Sequence, residues 1–374
     1  MKIAVNTRWL LPNKLEGFGW YTFHVLKRLS KLLPQAEFYL LVDRKFDNKL
    51  IEGLNVKYVQ LFPPARHPYL WYIFNEISVP MALRKIKPDI YFSPDGFLPS
   101  SLKIPTITTI HDLNFEDDET YLKDNVRKYY KKHIRNSAVK ASHIFTVSNF
   151  SKKDIIDRYG IDKTKITAVH NGPQKVFADH SNRKKSTQQR IAGAHPYFLF
   201  VGAQNPRKNL QRIFLAFDAW VTKYQGNHHL VLVGERMLWD EEIQTTWKNL
   251  QHKDKIHFTG RVSTYELNNA YSAATALVYP SLHEGFGMPI IEAFAAGCPV
   301  ITSESTAMPE VAGDAALLVD PTSTDEITAA MDKLAVDDVF RKKLRQKGIE
   351  RAKLFNWDTV AVEISERIKK LSGA

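Results

Sequence analysis

The stretch His283-Glu284-Gly285-Phe286-Gly287-Met288-Pro289-Ile290-Ile291-Glu292 sets the reading of this chain. It follows Ala276 to Tyr279, a short run with the composition of a buried strand, and it opens an apolar stretch of helical character. Gly285 and Gly287 let backbone approach a ligand closely, and Pro289 suits a first helical turn. The amides of such a turn, Gly285 to Met288 included, form an anion site. Glu284 lies in the loop and Glu292 on the helix, so the two acids can reach opposite ends of an elongated ligand. On spacing alone, a glycine-rich turn with two unrelated surface acids explains the segment equally well.

Outward from this stretch, short β-branched and aromatic runs alternate with helical patterns, as in buried parallel strands joined by helices. In the second half these strands are Phe198 to Val201, Leu230 to Val233, Ile256 to Phe258 and Val300 to Thr302, with helices near Asn209 to Tyr224 and Trp239 to Leu250. In the first half they are Lys2 to Asn6, Phe38 to Val42, Ile90 to Ser93, Thr106 to Ile110, Ile144 to Val147 and Ile166 to Val169. Helices fit over Tyr21 to Leu33, Leu70 to Lys85, Leu122 to Ala141 and Ser151 to Tyr159. Phe177 to Pro196 has hardly an apolar residue and reads as an exposed linker. The expected organisation is therefore two α/β domains, 1–178 and 179–356, each a doubly wound parallel sheet. A terminal helix occupies 357–374. Such sheets carry their functional loops at the carboxyl ends of the strands, so a cleft between the domains is the expected site.

The 374 residues are 44% apolar and 25% charged, with 17 Gly and 18 Pro, the composition of an ordinary globular protein. Disorder, collagen and coiled coil are excluded. No run approaches the ~18 apolar residues of a membrane span, and Ile3-Ala4-Val5 is broken by Asn6 and Arg8 before a signal core can form. A cytoplasmic location, with room for peripheral contact on the inner face of the membrane, is the expectation. The single cysteine, Cys298, permits no intrachain disulfide and reads as a small core residue. Residues 1–178 hold 28 Lys and Arg against 17 Asp and Glu, whereas residues 179–374 hold 24 against 23. The first half therefore suits an anionic partner such as nucleic acid, a membrane surface or a phosphorylated substrate, unless it is simply a basic soluble domain.

Three further segments sit where loops should meet a ligand. Arg207 and Lys208, in Gly202-Ala203-Gln204-Asn205-Pro206-Arg207-Lys208-Asn209, come after a strand and before a helix, where a phosphate would dock. Gly17-Phe18-Gly19 lies between the first strand and the first helix, and His111-Asp112 directly follows a strand. Taken singly, each is also compatible with a structural turn.

Glu284 and Glu292 with their intervening Gly-Phe-Gly-Met-Pro, followed by Ala-Gly-Cys-Pro-Val at 296–300, resemble the signature of retaining glycosyltransferases of family 4. The likeness extends through Gly17-Phe18-Gly19-Trp20-Tyr21-Thr22, Ile110-His111-Asp112, Val147-Ser148-Asn149-Phe150-Ser151, Asn171-Gly172, Arg207-Lys208-Asn209-Leu210 and Met308-Pro309-Glu310-Val311-Ala312-Gly313. Glu16 and Gln174 depart from it, standing where many members have Gly and Asp.

The resemblance implies the glycosyltransferase B fold, two Rossmann-like domains facing across a cleft. It implies a nucleotide-sugar donor whose diphosphate is held by Arg207 and Lys208, assisted by the amides of Gly285, Phe286, Gly287 and Met288. Glu292 would take the ribose hydroxyls and Glu284 would face the transferred sugar, which His111 would reach from the N-terminal domain. Gly17 and Gly19 would let the first loop close, and the base would lie near Arg261 and Val262. Transfer would retain the anomeric configuration by front-face attack, with fixed cations rather than a metal stabilising the leaving diphosphate. No Asp-x-Asp pair stands where it could carry Mg²⁺. Neither a cofactor nor nucleic acid is expected. Members with His-Glu-Gly-Phe-Gly use GDP-mannose or UDP-sugars, which favours a mannosyl donor and a glycan or lipid-linked glycan acceptor in surface polysaccharide assembly. A sugar-nucleotide epimerase of the same fold type and a non-enzymatic protein of anionic surfaces are the alternatives.

The basic stretch Leu122 to Ala141 completes the reading. Val126, Tyr129, Tyr130, Ile134 and Ala138 form an apolar stripe flanked by Lys123, Arg127, Lys128, Lys131, Lys132, Arg135 and Lys140. The pattern fits a helix lying on an anionic membrane, and equally a domain helix packed on its sheet.

Overall fold

The computed structural model describes residues 1–11, 15–45, 51, 54–65, 67–117, 122–179, 183–237 and 239–373. The chain forms two compact units, one made of Met1–Asn171 with Asn356–Ala374 and the other of Gly172–Phe355.

The first unit is built on a parallel sheet of β1 (Lys2–Asn6), β2 (Glu37–Val42), β3 (Val56–Gln60), β4 (Ile90–Ser93), β5 (Thr106–Thr109), β6 (His143–Thr146) and β7 (Ile166–Ala168). Their order is β3-β2-β1-β4-β5-β6-β7. The second unit repeats the plan with β8 (Tyr197–Val201), β9 (His229–Val233), β10 (Ile256–Gly260), β11 (Ala276–Tyr279), β12 (Val300–Ser303) and β13 (Leu317–Val319), ordered β10-β9-β8-β11-β12-β13. The central strands β4, β5, β6, β8, β11 and β12 are buried along their whole length, which is why they are continuous apolar or β-branched runs. Strand order reverses beside β1 and β4 in the first sheet and beside β8 and β11 in the second. Loops leaving the carboxyl ends of those strands diverge there and leave room for a ligand.

The expected linker and the expected domain boundary are corrected, and of the two readings of the basic stretch the packed domain helix holds. The exposed linker placed over Phe177 to Pro196 is instead part of the second unit. Lys184–Ala192 is a helix with Thr187 and Ala192 buried, and Phe177 packs its ring against Tyr271 at 5.9 Å. Residues 180–182 of that stretch lie outside the described residues. The chain passes between units at Asn171 and Gly172 rather than after residue 178. The basic stretch is the helix Asp124–Lys140, and its apolar stripe is used internally: Ile134 and Ala138 belong to the core of the first unit, with Tyr129 and Tyr130 packed against it.

The terminal helix Trp357–Ser372 returns to the first unit and packs along the helix Gly17–Leu32. Trp357 stacks on His24 with ring centroids 4.8 Å apart and meets the Tyr21 ring edge-on at 5.8 Å. Arg28 reaches Asp358 at 2.5 Å. Cys298 is buried in the second unit, and burial pushes its thiol up to about 12.

Candidate active site

In the second unit the site grows from the ends of β8 and β11. Gly202 and Gly234 close β8 and β9 with backbones so near that a Cβ on Gly234 would lie 2.0 Å from the Gly202 carbonyl oxygen. Beyond Gly202 the Asn205 side chain caps a tight turn, Pro206–Lys208, by accepting from the Lys208 amide. Asn209 takes the left-handed conformation that asparagine tolerates, and its side-chain amide donates to the carbonyls of Pro280 at 2.8 Å and Pro321 at 2.6 Å. The turn carrying Arg207 and Lys208 is thereby tied to the loop that leaves β11.

That tie brings three predicted residues together. The Lys208 ammonium donates to both the Glu284 carboxylate and the Tyr279 hydroxyl, although Lys208 is only 9% exposed. Arg207 Nη1 lies 2.9 Å from Glu284 Oε1 and donates to the His283 carbonyl at 2.6 Å. Tyr279 donates to the same Glu284 oxygen at 2.9 Å. Burial works to raise the Glu284 carboxyl, but Arg207 and then Lys208 outweigh it and hold it down at about 2. The group thus carries two cations on one anion, with one positive charge over.

Gly287 begins the helix Met288–Ala295 with φ +95°, a left-handed conformation that favours glycine, and no side chain caps the first turn. Gly285 and Phe286 are buried, and the Phe286 ring packs edge-on against Phe355 at 5.8 Å. Glu292 sits in the next turn, where Tyr271 donates to it at 3.1 Å. Desolvation pushes its carboxyl up to about 8, against the opposing Tyr271 hydrogen bond. Glu284 and Glu292 are therefore held in opposite protonation states at neutral pH, one by two cations and the other by burial. At the end of β10, Arg261 is exposed and pairs with Glu235 at 3.4 Å, next to the half-buried Val262.

The remaining predicted residues lie in the first unit. His111 follows β5, and its Nε2 is 2.9 Å from the Pro94 carbonyl, which can only accept. Nε2 therefore carries the proton and Nδ1 is left as an acceptor. Phe18 and Tyr21 meet the imidazole edge-on, each at 4.8 Å, and burial lowers its pKa, so the ring stays neutral. Gly17 and Gly19 open the helix Gly17–Leu32, with different needs. A Cβ on Gly19 would stand 2.6 Å from the Trp9 carbonyl oxygen, whereas Gly17 faces open space.

Sequence reasoning did not single out Asn205, Asn209, Tyr271 or Tyr279. Asn205 and Asn209 carried a usable signal, since asparagine around a turn both caps amides and accepts positive φ. Among the described residues, no group of three or more His, Cys, Asp or Glu side chains is arranged to hold a metal ion.

Two family models divide the chain between them: Glycosyltransferase Family 4 matches residues 17–173 and Glycosyl transferases group 1 matches residues 181–353. The O-antigen chain mannosyltransferase B of Escherichia coli is 30% identical, with 99% of this chain and all of that protein covered. The chain belongs to glycosyltransferase family 4. The O-antigen chain mannosyltransferase RfbU of Salmonella typhimurium is 31% identical over 68% of this chain and 67% of its own. The sucrose-phosphate synthase of Thermosynechococcus elongatus superposes with a TM-score of 0.80 at 18% identity, covering 99% and 98% of the two chains, a likeness of fold. The two units accordingly have the glycosyltransferase B fold, and the protein is a glycosyltransferase.

Proposed function

We propose that this glycosyltransferase moves a mannosyl group, with retention of anomeric configuration, from GDP-mannose to a glycan or lipid-linked glycan during assembly of a bacterial surface polysaccharide. The group of buried Lys208 and Glu284 with the half-buried Arg207 carries the reading. Cleavage of the anomeric C–O bond leaves a diphosphate on which negative charge grows, and preorganised cations out of bulk water stabilise it most. Lys208 and Arg207 are held in place by Glu284 and the His283 carbonyl, and as fixed cations they complement that charge without a metal. Glu284 already accepts from Lys208, Arg207 and Tyr279. Such a carboxylate suits orienting the cations and the sugar rather than attacking it, which favours front-face transfer in which the departing phosphate oxygen takes the acceptor proton. His111, with Nδ1 open as an acceptor, suits a sugar hydroxyl, and Glu292 suits the ribose.

The mannosyl donor is supported by the two O-antigen mannosyltransferases to which the chain is similar. A thermal-shift series over GDP- and UDP-sugars tests it, because ligand at 100 times its Kd stabilises by about 2.7 kcal/mol. GDP-mannose should give the largest shift. Donor turnover that requires a glycan acceptor separates transfer from epimerisation.

A further inference from the structure

Between Pro68 and Ile86 the first unit carries one unbroken helical segment: an α-helix over Pro68–Ile73, a wider π turn over Phe74–Ser78 and an α-helix over Val79–Ile86. Phe74, Val79, Ala82 and Leu83 point inward and belong to the core. On the outer side, Tyr69 is 77% exposed, Tyr72 48%, Ile73 37%, Ile77 48% and Met81 62%. Spacings of three and four residues set these side chains in a single row along the helix. Phe62, 68% exposed, is tied to the same segment because the Ser78 hydroxyl donates to its carbonyl. Isolated exposed apolar residues are ordinary, but a contiguous row marks a surface that something covers.

We infer that this row is the face by which the protein docks on an anionic lipid bilayer. The charges around it select that occupant. Past Met81 the segment ends in the exposed cations Arg84, Lys85 and Lys87. Alongside runs the helix Asp124–Lys140, joined by Trp71 against Tyr129 at 5.4 Å and Tyr72 against His133 at 6.0 Å. Next to those contact residues stand the exposed Lys128 and Lys132. The single acid of the segment, Glu76, turns to Ser100 and His133 instead. Aromatic and aliphatic side chains bordered by lysine and arginine are what an interfacial helix presents to anionic headgroups. A second copy of the chain would bring the same cations against themselves across a two-fold axis, which like-charge repulsion opposes.

The docking serves the proposed lipid-linked acceptor and in that sense rests on that reading, but it can be tested with neither donor nor acceptor. The protein is sedimented with vesicles of phosphatidylcholine alone or mixed with phosphatidylglycerol. Binding is expected only to the anionic vesicles at low salt, with release at high salt. Tyr69→Ser/Ile77→Ser/Met81→Ser should lower partitioning by about ten-fold or more, with the thermal unfolding midpoint not lowered. Arg84→Gln/Lys128→Gln/Lys132→Gln should weaken binding and flatten its salt dependence. No binding to anionic vesicles, unchanged binding by the apolar triple variant, or a wild-type dimer that this variant converts to monomer would each overturn the inference. A transfer assay on a soluble acceptor reports separately on the activity.

Discussion

Lys208 and Glu284 form an ion pair in which neither side chain has appreciable access to water, the residues being 9% and 7% exposed. Removing Glu284 strands the Lys208 charge, whereas removing Lys208 leaves Glu284 with Arg207 and Tyr279.

Glu284→Ala should therefore lower stability as well as activity, whereas Lys208→Ala leaves Glu284 paired with Arg207 and should cost less stability. Loss of one member of a buried pair costs about 3 to 5 kcal/mol, readable as a fall in Tm. Lys208→Ala and Arg207→Ala should each also remove about 2 to 4 kcal/mol of transition-state stabilisation, as for single donors to a developing anion. Near-normal kcat/KM in both cation variants would refute the assigned role. Glu284→Ala should act mainly on kcat.

The opposite state of Glu292 gives a pH signature. Its folded pKa of about 8 stands above the usual 4.5, so the unfolded chain releases this proton first. The contribution is intact below about pH 4.5 and is lost as pH rises toward 8, a fall of a few kcal/mol at most. Denaturant titrations across this window should show Glu292→Gln losing less stability than wild type. Glu292→Ala should raise donor KM more than it lowers kcat.

Three glycines should behave differently when changed to alanine. Gly234 combines φ +133° with a neighbouring carbonyl 2.0 Å from any Cβ, so Gly234→Ala should cost about 2 kcal/mol or more. Gly19→Ala meets the Trp9 carbonyl and should also destabilise. Gly17→Ala meets nothing and should leave stability unchanged or raise it by up to about 1 kcal/mol. Thermal melts of the three variants decide this.

Turnover should survive EDTA, the outcome expected of the proposed role of Arg207 and Lys208 as the cations facing the leaving diphosphate. Activity abolished by chelation and restored by Mg²⁺ or Mn²⁺ would contradict this. Proton NMR of the product should show the donor's anomeric configuration retained.

Most of both sheets was legible because buried parallel strands are short apolar runs set between helical patterns. The strands missing from the sequence reading are β3 and β13. Val56–Gln60 is a half-buried run containing Lys57 and Gln60, and Leu317–Val319 has three residues, too few for a pattern. The helix Lys184–Ala192 buries only Thr187 and Ala192, so hydrophobic periodicity does not reveal it. At the site, the residue types and their motif spacing carried Arg207, Lys208, Glu284 and Glu292. The pairing that joins the first three could not be read, because it depends on Asn209 bridging two loops some seventy positions apart along the chain. The stripe on Asp124–Lys140 had two readings at the level of sequence. Only packing showed that it faces inward while the outward row belongs to Tyr69 through Met81.

The return of Trp357–Ser372 to the helix Gly17–Leu32 has a consequence for synthesis. The first unit is interrupted in sequence by the whole of the second, so its last helix leaves the ribosome only after residues 172–355. The inserted unit has its complete sequence earlier and can finish folding while its host still waits. Until then the surface of Tyr21 and His24 that receives Trp357 stands uncovered, and a chain stopped short of this helix would carry a finished second unit on an incomplete first.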